Sequence, residues 1–152
     1  MNGPGHRFLV SAGVVHGSVE VAAPPERVFR ALTDPVQLAA WWGAPDQYRT
    51  HDWRLELRTG AEWSCQATNA DGEGATVHGR ILTVEPPTLL ELTWNPSWEP
   101  PGETTIRYEL SPTPSGTRVV VRHTGFTRAE SCQGHAQGWD RVLGWLAAHL
   151  AR

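Results

Sequence analysis

Val14-Val15-His16-Gly17-Ser18-Val19-Glu20-Val21-Ala22-Ala23-Pro24-Pro25-Glu26-Arg27-Val28-Phe29-Arg30-Ala31-Leu32-Thr33-Asp34 changes its hydrophobic period once, and that change decides the class of fold. Up to Ala23 the positions Val15, Gly17, Val19 and Val21 recur every second residue, which predicts a strand with one buried face. Pro24-Pro25 ends the strand and starts a helix, because the first helical turn has no use for the N–H that proline lacks. Val28, Phe29 and Leu32 then fall on one side of that helix. Asp34-Pro35 breaks it and caps a second short helix carrying Leu38, Trp41 and Trp42.

Beyond Gly43 the period returns to two and holds through Thr124. Tyr48 to Leu57 places Trp53, Leu55 and Leu57 on one face, and Ala61 to Thr68 alternates Trp63 and Cys65 with polar residues. Ala75 to Val84 fits two registers: either Val77, Gly79 and Ile81 point inward, or His78, Arg80 and Leu82 do. Leu90, Leu92 and Trp94 share a face, as do Thr104, Ile106, Tyr108 and Leu110, and then Val119, Val121 and His123. Turn-forming stretches such as Thr59-Gly60, Glu85-Pro86-Pro87 and Pro112 to Gly116 separate these runs.

The last segment returns to helical spacing, with Trp139, Val142, Leu143, Leu146 and Leu150 on one stripe. Gly134, Gly138 and Gly144 each cost about 1 kcal/mol of helix propensity, so packing must hold that helix. The order predicts an α+β fold. A curved antiparallel sheet of about six to seven strands wraps a long C-terminal helix, with two short helices after the first strand.

The chain of 152 residues fits one domain, expected over 14–152 behind a flexible leader at 1–13. A net charge of −3 argues against nucleic acid as a partner. No apolar run approaches the roughly 18 residues of a membrane span, and Phe8 to Val15 is followed by no cleavage signal. Cys65 and Cys132 make no disulfide framework, so a reducing, cytoplasmic setting is expected. All basic residues other than histidine are arginine, as in a GC-rich bacterial genome. Monomer and homodimer both remain open.

Eight tryptophans set the functional question. Each indole buries roughly 200 Å² and brings an N–H that needs a partner. They form either a compact Trp-rich core or the wall of a cavity for a flat apolar molecule. An empty void of about 300 Å³, the low end for ligand pockets, would cost about 7 kcal/mol, comparable to a domain's net stability. Such a space must therefore be wet, occupied or narrowed by large side chains. Candidate ligand-binding residues are Trp41 and Trp42 of the second helix, with Trp139 and Leu143 of the last one. Trp53, Trp63, Trp94 and Tyr108 join them from the strands, and His78 if its strand takes the second register.

His123 continues the apolar face of Val119 and Val121. It is either a ligand partner and acid/base group or a structural histidine bonded near the strand end. His51-Asp52, Cys65, His78 and His123 lack zinc-type spacing, so no metal is expected, nor is any cofactor. Cys65 has no neighbouring cue for thiolate activation, and Ser64, Ser97 and Ser111 lack a nucleophile elbow. Pro96 to Gly102, with Trp98, is either a lid at a pocket mouth or a surface loop.

Four motifs occur in sequence: Val19 to Asp34 with Trp41-Trp42; Glu85-Pro86-Pro87 ahead of Leu92-Thr93-Trp94; His123-Thr124-Gly125-Phe126; and Gly138-Trp139. Over residues 14–150 they resemble the SRPBCC (START-like) superfamily, and within it the homologues of the activator of heat-shock-protein-90 ATPase. The resemblance implies a helix-grip fold with a deep cavity between sheet and last helix. Members range from lipid and hormone binders to polyketide cyclases and antibiotic self-resistance proteins, so fold alone does not give function. The expectation is a binder of a small apolar, aromatic ligand, acting without catalysis. The alternatives are a cavity enzyme of cyclase, dehydratase or hydrolase type using His123, an antibiotic-sequestering protein, and, least expected, a chaperone-interaction module.

Overall fold

The computed structural model describes residues 8–152, so the leader expected over 1–13 lies partly outside the described residues. Two strands, β1 (Leu9–Ser11) and β2 (Val14–Val21), precede two helices, α1 (Pro25–Thr33) and α2 (Pro35–Trp41). Seven strands follow: β3 (Gly43–Ala44), β4 (Tyr48–Leu55), β5 (Glu62–Asn69), β6 (Gly74–Glu85), β7 (Leu89–Pro96), β8 (Thr104–Thr113) and β9 (Gly116–Thr124). The chain closes on α3 (Ala129–Leu150). All strands join one sheet of order β1-β2-β9-β8-β7-β6-β5-β4-β3, and every pairing is antiparallel. The α+β class stands, with nine strands where six to seven were expected. The additions, β1 and β3, are too short to display a period.

One face of the sheet carries the core. Val15, Val19 and Val21 of β2 are buried with Val119 and Val121 of β9, Ile106 and Leu110 of β8, and Leu90 and Leu92 of β7. The stripe Cys132, Ala136, Trp139, Leu143 and Leu146 of α3 belongs to the same cluster. Pro25 opens α1, and Asp34 caps α2 by accepting the Val36 N–H at 3.0 Å, as the sequence predicts. The Trp41 indole donates to the Ala31 carbonyl at 2.8 Å and locks the two short helices together. Arg27 of α1 donates to the Leu150 carbonyl at 3.0 Å, holding the C-terminus of α3.

Three local readings change. The described part of the leader forms β1 and seats Phe8 in the core, with Leu9 and Val10 exposed. Phe8 lies over Gly17, where a Cβ would come within 2.8 Å of its ring. It also stacks on Trp139 with centroids 5.9 Å apart, and its N–H donates to Asp140 at 2.8 Å. In β4 a bulge at Asp52, with φ of 53°, puts Thr50 and Trp53 on the same side. The strand ends at Leu55, leaving Leu57 exposed.

The two-register strand also resolves. Val77 and Ile81 are buried, while His78 and Leu82 face solvent, so His78 leaves the set of inward residues. The reason is Gly79. A Cβ there would overlap the Thr93 carbonyl, and the vacant space lets the Trp63 indole cross β6 to donate to that carbonyl at 2.9 Å. No other residue type fits there, so the glycine must take the inward position.

Candidate functional site

A cavity of about 450 Å³ lies between the inner face of β4 to β6 and the first half of α3. Cys65, Ala67 and Val77 form its floor, and Trp42, Trp53, Trp94 and Trp139 its walls. Trp98 stands at the edge, 54% exposed, edge-on to Trp94 and stacked on His135. The mouth is marked by exposed Glu73, Gly74, Glu130 and Arg141. On α3 the cavity is lined by Gly134 and Gly138, and a Cβ at either position would meet no atom within 4 Å. These glycines weaken the helix and keep the space clear.

The indoles form a closed ring. Trp42, Trp53, Trp63 and Trp94 contact one another in turn at centroid distances of 5.6, 6.0, 5.9 and 6.2 Å. Trp41 stacks behind Trp42 at 5.3 Å, and Trp139 closes on Trp42 at 6.0 Å. Their N–H groups are paired, three of the four to residues that also line the cavity. Trp42 donates to the Tyr48 hydroxyl at 3.3 Å, Trp53 to Thr50 Oγ1 at 3.0 Å, and Trp94 to His135 Nε2 at 3.1 Å. Trp139 donates to His123 Nδ1 at 3.0 Å. The four wall indoles therefore offer the cavity their ring faces and no free N–H.

His123 is fully buried and bonded at both nitrogens. Nδ1 accepts from Trp139, which places the ring proton on Nε2. That proton is donated to Thr104 Oγ1 at 2.7 Å, and the threonine hydroxyl donates onward to the Trp94 carbonyl at 3.2 Å. Burial, and secondarily the charge of neighbouring His135, holds the His123 imidazole well below the usual histidine range. A base needs a free lone pair facing its substrate, and this one has none. The structural alternative for His123 describes its bonding.

His135 is the residue that periodicity missed. It accepts from Trp94 at Nε2 and donates from Nδ1 to the Ser131 carbonyl at 2.8 Å, one turn back on α3. It packs on His123 and Phe126 at centroid distances of 5.2 and 4.9 Å. With Trp94 and Ser131 it also lines a second hollow of about 310 Å³ on the other side of the Trp98 loop.

Of the sequence-selected candidates, Trp42, Trp53, Trp94 and Trp139 line the main cavity. Trp41 and Trp63 stand behind them, Tyr108 is buried edge-on to Trp139 at 5.9 Å, and Leu143 and His123 lie deeper. His78 lies on the opposite side of the sheet. Cys65 does line the cavity, but burial pushes its thiol up to about 12, which keeps it protonated and unreactive. Among the described residues no group of three His, Cys, Asp or Glu side chains is placed to hold a metal ion. No helix among them is long and apolar enough to cross a membrane.

A sheet wrapped on a terminal helix around such a hollow is the helix-grip arrangement of the SRPBCC superfamily. A family described as Activator of Hsp90 ATPase homolog 1-like protein matches residues 22–151, and the chain belongs to it. A crystal structure of a Chromobacterium violaceum protein superposes with a TM-score of 0.84 at 25% identity, covering 93% of this chain and 99% of that one. The family member from Silicibacter pomeroyi gives 0.80 at 26% identity, covering 91% and 97%. DynU16, from the dynemicin biosynthetic locus, gives 0.74 at 25% identity over 93% of this chain and 48% of its own. No protein with a curated description matches the chain.

Proposed function

We propose that the protein binds a small, flat, apolar molecule of aromatic character in the cavity between β4 to β6 and α3. The observation that carries the reading is the orientation of the wall indoles. Their N–H groups are spent inside the protein, so their faces are left to stack on a guest. A sealed, dry void of about 450 Å³ would cost on the order of 10 kcal/mol, so a cavity of this size with an open mouth is a space for water or a guest. Trp42, Trp53, Trp94, Trp98 and Trp139 make the contacts in this reading.

Sequestration or carriage fits better than catalysis, because both histidines near the cavity have both nitrogens committed. The likeness to DynU16 favours small-molecule metabolism as the setting over chaperone binding. The test is a titration with phenylnaphthylamine, an uncharged aromatic probe, followed by tryptophan quenching and by melting temperature. Saturable quenching with a rise in Tm that follows RT ln(1 + [L]/Kd) supports the reading. A flat response to this probe and to a panel of polycyclic aromatics removes it.

A further inference from the structure

Among the groups lining the cavity, Tyr48 and Arg141 stand together at one end. The Tyr48 hydroxyl accepts from Trp42, and among the described residues its own proton has no acceptor. Arg141 lines the cavity from α3, exposed, and among the described residues it forms no ion pair, unlike Arg107, Arg118 and Arg128. The two are neighbours. Tyr48 meets Trp145 edge-on at 5.6 Å, and Arg141 is one helical turn before Trp145. Burial raises the Tyr48 phenol; the Trp42 bond and the Arg141 charge pull the other way. The phenol therefore stays a donor.

Of the other charges at the mouth, two glutamates pair with an arginine and the third is bonded to an amide. Glu99 and Glu130 lie near the start of α3, each 3.7 Å from Arg128. Glu73 is on the Tyr48 side, because Asn69 pairs with Tyr48 across β4 and β5, and its carboxylate accepts from Asn69 at 2.9 Å. The cavity thus has indole carbon along its length and two uncommitted donors at one end, one of them positively charged.

Resting on the binding reading above, we infer that the guest is a planar aromatic carrying an anionic oxygen, seated with that oxygen between the Tyr48 hydroxyl and the Arg141 guanidinium. A phenolate, carboxylate or sulfonate meets the requirement, since each accepts a charge-assisted bond from both groups.

Anilinonaphthalene sulfonate and phenylnaphthylamine share one aromatic frame and differ by a sulfonate, so the pair isolates this end of the site. The sulfonated probe is expected to bind about tenfold tighter. Arg141→Gln should remove most of that advantage and leave phenylnaphthylamine unchanged; Tyr48→Phe, which also frees the Trp42 N–H, should lower the ratio of the two affinities whatever it does to either alone. Arg141 is exposed, so its variant keeps the test open even if Tyr48→Phe folds poorly. Equal affinities in the parent protein, or a sulfonate preference that survives Arg141→Gln, overturn the inference and leave the apolar reading standing. Binding of neither probe takes both down.

Discussion

His123 owes its state to the groups around it. Its imidazole accepts at one nitrogen and donates at the other, inside a core that excludes water. Protonation would turn the acceptor into a donor facing the Trp139 N–H. Burial and the nearby His135 lower its affinity for a proton, whereas the unfolded chain protonates it near the ordinary histidine value. Below that value the unfolded state binds more protons than the folded one, so this contribution to stability is complete above pH ~6.5 and declines as pH falls toward the folded pKa. Denaturant midpoints should be level from neutral to mildly alkaline pH, then drop through the range from pH ~6.5 to ~5 with a slope of at most about 1.4 kcal/mol per unit from this residue. His123→Gln should flatten that slope. His123→Ala, which strands the Trp139 N–H and opens a void, should cost about 2–4 kcal/mol in urea unfolding.

At the scale of elements, local rules and long-range packing divide the account. Strand β2, the proline-led helices and the inward faces of β7, β8 and β9 were legible because period and burial agree along them. The inward face of β6 was not, since Gly79 gives no hydrophobic signal and its reason lies in Trp63 and Thr93 on other strands. Gly79→Ala should therefore destabilise by several kcal/mol, about 2–4 on the scale of overpacked core sites, with Trp63 emission shifting as its hydrogen bond breaks.

The early half of α3 escaped for a different reason. Gly134 and Gly138 depress helix propensity, and Arg128 gives no side-chain cap, so the apolar stripe read as opening at Trp139 and His135 was passed over. Carrying the stripe backward from Leu143 and Trp139 to Ala136 and Cys132 would have recovered it. Phe8 was lost in the leader because one aromatic residue shows no period. Phe8→Ala should cost about 3 kcal/mol in thermal or urea unfolding, because it removes the ring stacked on Trp139 at 5.9 Å.

For the molecule as a whole, the two readings of the tryptophans prove to be layers of one construction. Trp41 and Trp63 are packed behind as core, while Trp42, Trp53, Trp94 and Trp139 are both core on one side and wall on the other. The helix facing them carries glycine where a larger residue would give a better helix and a fuller interior. Stability is thus set against open space, and the two can be separated by one substitution. The decisive measurement is the phenylnaphthylamine affinity and melting temperature of Gly138→Leu, whose side chain enters the cavity from α3. The account predicts a higher Tm, from the gain of about 1 kcal/mol in helix propensity and the filled space, together with at least a tenfold loss of affinity. A variant that binds the probe as tightly as the parent protein would contradict it.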